Sequence, residues 1–171
     1  MKIALVLAAA MIAGLGTDNG HAKESSKMRN VNASVVVMKP AKEVWQSLAK
    51  IDGLEKILPS MLTETHIEGG KRAELGCVRV CKAHDGSITR EKVVRLDEHA
   101  MIYAYEFVEG VPAKMTNSFQ VVPLGEAMSK VIWNSDYEYM ENPMMNTDQF
   151  YNYVSMAGQK IVDDIRTRFS N

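Results

Sequence analysis

The residues best equipped for chemistry lie in one stretch, GCVRVCKAHDGSITREKVV, running from Gly76 to Val94. It carries two thiols, Cys77 and Cys81, with Arg79 between them, and a glutamate, Glu91, on what reads as a returning strand. Side chains alternate along a strand, so Cys77, Arg79 and Cys81 share one face. A charge on a buried face costs several kcal/mol unless something pairs it. A two-residue turn at Asp85-Gly86 would set Arg79 against Lys92, two cations together. A three-residue loop, His84-Asp85-Gly86 with Gly86 left-handed, instead pairs Ala83 with Ser87 and Arg79 with Glu91. The second register also leaves Arg90 and Lys92 in water, and it is the one expected here. On the inward face the two charges lower each other's burial cost.

Such a pair can do two kinds of chemistry. Glu91 can move a proton, since an apolar cavity favours proton exchange on a carboxylate, although a neighbouring arginine opposes it. Arg79 can orient the polar or anionic end of a ligand, or stabilise developing oxyanion charge. An ion pair that only fixes strand register uses the same two residues, so both roles stay open at this point. The two cysteines lie four apart on one strand, roughly 13 Å between Cα atoms, whereas a disulfide needs less than about 7 Å. They are expected to remain unpaired. His66, His84 and His99 show no Cys/His ligand spacing, and no nucleotide motif is present, so neither a metal nor another cofactor is expected.

The elements that must position these residues follow from the pattern. Val31 to Met38 is a β-branched run closed by Lys39-Pro40. Pro40 opens a helix in which Val44, Trp45 and Leu48 recur at helical spacing, and LEKILPSM predicts a second short helix ended by Pro59. Six strands follow: Met61–Glu68, Glu74–Lys82, Ser87–Leu96, Met101–Val108, Lys114–Val122 and Lys130–Tyr139, with turn signals between them. From Thr147 the period changes, and Phe150, Val154, Ala157, Ile161, Ile165 and Phe169 mark one long amphipathic helix. The order predicts an α+β fold in which a curved antiparallel sheet of about seven strands wraps a long C-terminal helix.

Alternation then sorts the side chains. Tyr103, Tyr105 and Phe107 face inward with Met115, Asn117, Phe119, Trp133, Ser135 and Tyr137. An ordinary core explains the phenylalanines and methionines. It explains the tyrosines less well, because each buried hydroxyl needs a partner. The expectation is therefore a water-lined pocket walled by Tyr103, Tyr105, Met115, Phe119, Trp133 and Tyr137, with Arg79 and Glu91 at its polar end.

The chain has 171 residues, 46% hydrophobic and 24% charged, with a formal net charge of −1. That suits one domain with a sizeable core. Neutral balance without basic stripes argues against nucleic acid and against electrostatic membrane binding. Met1-Lys2 precedes an apolar run, Ile3 to Gly16, too short to span a bilayer comfortably and followed by the small residues of GHA. The expected organisation is a signal peptide at 1–22, a flexible segment at 23–30 and a folded domain at 31–171. The protein is expected to be exported, periplasmic or secreted, with no integral membrane segment once the signal is removed.

KPAKEVWQSLAKIDGLEKILPSM, GCVRV, REKVVRLDEHAMIYAYEFVEG and VIWNSDYEY, ahead of a helix containing GQKI, resemble the START-like polyketide cyclase/dehydrase (SRPBCC) group. That group shares the helix-grip fold of the birch-pollen-allergen superfamily. The motifs GCVR and EK…LD are similar to the branch containing plant lachrymatory-factor synthase, in which the matching arginine and glutamate are implicated in catalysis. The resemblance thus implies roles for Arg79 and Glu91. It also implies that Met115 stands where that branch has a pocket tyrosine, and Tyr153 where it has a helix tryptophan. Three functions are compatible with this. The first is an exported binding protein for a small hydrophobic molecule. The second is a cyclase-, dehydratase- or isomerase-like enzyme using Arg79 and Glu91. The third is a periplasmic accessory protein that docks on a protein partner through the Met-rich segment YMENPMMN, because exported accessory members of the superfamily exist.

Overall fold

The computed structural model describes residues 28–70, 72–140 and 145–170. The expected signal peptide lies outside the described residues, as does the middle of the Met-rich segment. The elements run β1 (Arg29–Val37), α1 (Ala41–Leu48), a 3-10 turn (Leu54–Lys56), β2 (Leu62–Ile67), a second 3-10 turn (Glu68–Gly70), β3 (Val78–Ala83), β4 (Ile88–Asp97), β5 (Ile102–Glu109), β6 (Ala113–Pro123), β7 (Ser129–Tyr139) and α2 (Thr147–Phe169). Among the described residues they form one seven-stranded sheet in the order β1-β7-β6-β5-β4-β3-β2. Every neighbouring pair is antiparallel. This is the helix-grip arrangement that the order of elements predicts.

Two local differences have simple causes. The second short helix shrinks to the single 3-10 turn at Leu54–Lys56. β3 begins at Val78 rather than Glu74, because Gly76 takes a positive φ of 86° that a strand cannot continue through. Cys77 therefore sits just ahead of the strand, although its carbonyl still accepts from the Val93 amide at 2.9 Å. Both thiols are free and buried, as their spacing requires.

α2 packs against β1 and β7, and α1 packs against β6 and β7. The long helix begins with a capping box. The Asn146 side chain accepts from the amides of Asp148 and Gln149 at 3.1 and 2.9 Å, and Gln149 Oε1 accepts from the Asn146 amide at 2.9 Å. Asp148 in its first turn and Arg166 and Arg168 in its last suit the helix dipole. Its buried face is Phe150, Val154, Gly158, Ile161, Val162, Ile165 and Phe169. Gly158 is where helix and sheet come closest: a Cβ there would fall 2.7 Å from Cζ3 of Trp133. The helix thus lies directly on the indole. Midway along α1, Trp45 Nε1 ties the helix to the β4–β5 turn by donating to Glu98 Oε2 at 2.6 Å.

Candidate functional site

The β3–β4 loop sets the geometry of the charged pair. Gly86 has φ of 85°, its amide donates to the Ala83 carbonyl at 3.0 Å, and the Ala83 amide donates to the Ser87 carbonyl at 2.9 Å. This is the three-residue loop, and it places Arg79 directly opposite Glu91. Across the sheet the row continues from Ile67 through Arg79 and Glu91 to Phe107.

Every nitrogen of the guanidinium is engaged. Nε donates to Glu91 Oε2 at 2.9 Å, Nη2 donates to the same oxygen, and Nη1 donates to the Ile51 carbonyl at 3.3 Å. The cation also stands 4.8 Å from the Tyr105 ring centroid and 5.9 Å from that of Tyr103. Burial disfavours its charge most, but Glu91 together with Tyr103, Cys81 and Tyr105 outweighs it, so the Arg79 pKa ends well above the ordinary arginine value. Ile51 is itself unusual, a buried β-branched residue with φ of 63°. Such a conformation costs on the order of 1–3 kcal/mol, and the bond from Arg79 helps to hold it. Glu91 Oε1 is held more lightly, by Thr89 Oγ1 at 3.4 Å. Beside the pair, burial pushes the Cys81 thiol up to about 12, with Glu91 adding and Arg79 opposing.

The rest of the concave face is ordered by register. One row reads Tyr103, Phe119, Trp133, Ala33, and the next reads Tyr105, Asn117, Ser135, Val31. A third brings Met115 beside Tyr137. Tyr103, Tyr105, Met115, Phe119, Trp133 and Tyr137 are all buried. Tyr103 and Phe119 stack at 5.3 Å, and Tyr103 and Tyr105 at 6.0 Å. Within this aromatic floor several polar atoms have no hydrogen-bond partner among the described residues: Tyr103 Oη, Asn117 Oδ1, Trp133 Nε1, Ser135 Oγ and Tyr137 Oη. Asn117 Nδ2 donates to Tyr105 Oη at 3.3 Å, so that amide is satisfied at one end alone. Burial raises the pKa of Tyr103, Tyr105 and Tyr137. For Tyr103 the nearby Arg79 charge opposes the rise without its hydroxyl meeting hydrogen-bond geometry.

The structure adds three details to the expected site. The pair is closed off from bulk solvent, with Arg79 1% and Glu91 6% exposed. Tyr137 keeps its ring on the floor against Phe150, centroids 5.1 Å apart, but its hydroxyl neighbours Arg29 and Tyr151 on the β1 side. Tyr153 is apart from the others, on the lip of α2 near Asp85, 39% exposed and 6.3 Å from the Phe150 ring. The sequence motifs did not single out Asn117, Ser135, Thr89 and Ile51. Alternation already turned Asn117 and Ser135 inward, but their lack of partners is a three-dimensional fact.

Two surface clefts stand out among the described residues. One of about 490 Å³ is walled by Glu106, Val108, Lys114, Thr116 and Glu138, and also by the inward residues Phe107 and Met115, so it brings one of the expected pocket residues to a cleft. The other, about 400 Å³, runs along the seam between Asn30, Asn32 and Ser34 of β1 and Tyr151, Ser155 and Gln159 of α2. Neither is lined by Arg79 or Glu91. Among the described residues no group of three or more His, Cys, Asp or Glu side chains could hold a metal ion, and no helix is long and apolar enough to cross a membrane.

Comparison with known proteins gives this geometry a context. Residues 28–156 match the family model described as polyketide cyclase / dehydrase and lipid transport. Similar solved structures include the protein XoxI from Bacillus cereus, at 18% identity and TM-score 0.71 over 82% of this chain and 94% of that one. They also include the Zhui aromatase/cyclase from a Streptomyces species, at 17% and 0.69 over 82% and 93%. A third is ginseng major latex-like protein 151 from Panax ginseng, at 17% and 0.67 over 84% and 99%. At these identities the likeness is one of fold.

Proposed function

Because the chain belongs to the polyketide cyclase / dehydrase and lipid transport family, we propose that it is an exported protein that binds a small apolar molecule with a polar group, held between the concave face of the sheet and α2. The observation that carries this is the set of buried polar atoms on the aromatic floor, Tyr103 Oη, Asn117 Oδ1, Trp133 Nε1 and Ser135 Oγ, that no group among the described residues satisfies. Buried polar groups are nearly always paired, and each exception asks for a reason. A ligand whose polar group reaches these atoms when α2 moves off the floor would supply one. Export is supported by the basic start, the apolar run from Ile3 to Gly16 and the small residues ending at Ala22.

A second reading is supported by Glu91. Both Arg79 bonds fall on Oε2, which leaves Oε1 with one long contact from Thr89. A carboxylate oxygen held so lightly can take a proton from a bound substrate, with the Arg79 charge stabilising the anion that develops. In that case the protein is a cyclase-, dehydratase- or isomerase-like enzyme. Native mass spectrometry of the protein purified from its own host tests the binding function. The expected result is a complex heavier than the chain by one small organic molecule. A bound protein partner with no small molecule would point to an accessory role instead.

A further inference from the structure

We propose that the opening between β5 and β6 is a second binding site, separate from the concave floor, and that it takes a small organic cation with an apolar body. This goes beyond the binding function above and does not depend on it.

The sheet is split at this point. β5 runs to Glu109 and β6 starts at Ala113, yet the two pair only from Ile102–Gln120 to Glu106–Thr116. On their other sides both strands stay paired, Phe107 with Glu91 and Glu109 with Arg90, Ala113 with Tyr139 and Met115 with Tyr137. Val108 is the extra residue of a bulge, since Arg90 and Glu91 are consecutive while their partners Glu109 and Phe107 are not. Such a bulge bends its strand and disrupts pairing. Gly110 holds the bend: its φ is 97°, and a Cβ there would fall 2.6 Å from the Ile88 carbonyl oxygen of β4. The end of β5 thus leans on β4 and away from β6, and the cleft of about 490 Å³ opens at the gap. Residues of both faces line it, Phe107 and Met115 from the inward side and Glu106 and Thr116 from the outward.

Two features of the lining identify the guest. Much of the wall is apolar, and Met28, Val108 and Met140 in it are large hydrophobic side chains left exposed among the described residues. Apolar side chains gathered and exposed at one cleft mark a binding surface, and methionines adapt their shape to what they cover. Charge is the second feature. Of the four carboxylates in the lining, Glu109 and Glu138 have counter-charges in Arg90 and Lys114, at 3.3 and 3.4 Å. Glu106 and Asp136 have none among the described residues. Lys92, beside Glu106 in the register, makes no ion pair with it, and Asp136 is held by two neutral donors, Asn30 Nδ2 at 2.7 Å and Asn134 Nδ2 at 2.9 Å. Register places Glu106 and Asp136 in a single row on one face, with Thr116 between them. Their strands lie about 10 Å apart, so an ammonium above Thr116 can reach both carboxylates and donate to the threonine hydroxyl. The attached apolar body then lies in the split against Val108 and Met115. An anion would meet two unbalanced carboxylates there, and a neutral guest would leave them unbalanced.

The test is equilibrium dialysis of the full chain against three probes of one shape: 2-naphthylmethylammonium, 2-naphthylmethanol and 2-naphthoate. The ammonium should bind at least about fivefold tighter than the alcohol, the scale of one effective ion pair, and the naphthoate should bind weakest. Added salt should narrow the difference. Glu106→Gln, at an exposed position, should remove most of the ammonium's advantage and leave the alcohol's affinity unchanged. Val108→Ser should weaken both alike. Failure of the ammonium to bind, or an alcohol or naphthoate that binds as tightly, would overturn the proposal. So would an advantage that survives Glu106→Gln, or affinities unmoved by Val108→Ser, because the probes would then sit elsewhere. Each of these results leaves binding at the concave floor untouched.

Discussion

The guanidinium of Arg79 is buried among two tyrosine rings with one carboxylate to balance it, and that fixes what its loss of balance should cost. In Glu91→Gln the cation stays buried without a counter-charge, and Ile51 and Tyr105 offer only a carbonyl and a ring face. Stability should fall by about 3–5 kcal/mol, the usual consequence of removing one partner of a buried pair. Urea melts of wild type and variant measure it, and a loss near 1 kcal/mol would mean that water reaches the site. The neighbouring thiol makes a second prediction. Cys81 titrates near 12 in the folded protein, against 9.0 for an ordinary thiol. Above pH 9 the unfolded chain gives up this proton while the folded chain keeps it. This contribution to stability is therefore complete below pH 9 and is lost progressively as pH rises toward 12. Its slope approaches about 1.4 kcal/mol per pH unit. In Cys81→Ala that slope should be missing from melts taken between pH 9 and 10.5, and equal slopes would assign the loss to other groups.

At the scale of elements, the contact between α2 and β7 is set by one missing Cβ. Gly158→Ala would gain about 1 kcal/mol of helix propensity in isolation. Here the new methyl meets the Trp133 ring at 2.7 and 3.0 Å, and Trp133 is itself buried with no free direction to move. Overpacking of this kind costs about 1–3 kcal/mol. The net expectation is a lower Tm together with altered tryptophan emission, and an unchanged emission with higher stability would show that the helix can rise off the sheet. The same logic runs through the β3–β4 hairpin. Its loop length and the left-handed Gly86 determine the register, and the register makes Arg79 and Glu91 partners.

For the whole molecule, the proposal of export carries its own measurement. The processed chain should begin at Lys23 and be recovered outside the cytoplasm, as N-terminal sequencing of the exported fraction would report. An intact Met1 chain recovered from the cytosol would end that part of the proposal. Export would also set the conditions of the site: two unpaired thiols would meet an oxidising compartment protected by burial, with Cys81 in addition held protonated.

Local pattern by itself determined the order of elements, the antiparallel hairpins, the inward residues of each strand and the Arg79–Glu91 partnership. All of these follow from period-two and period-3.6 alternation, turn residues and the cost of pairing like charges, quantities that a few neighbouring residues settle. It could not determine whether the inward face would be wet. That depends on how closely α2 descends on β1 and β7, on Gly158 letting it rest against Trp133, and on the Ile51 carbonyl turning toward Arg79 from 28 residues away. The same closure separated Tyr153 from the floor and carried the Tyr137 hydroxyl to the β1 side, although both rings share the helical or strand spacing of their neighbours. Asn117 and Ser135 are the plainest case. Their inward direction is written in the strand, but a polar atom's lack of a partner is a property of everything packed around it, and only the tertiary structure supplies that.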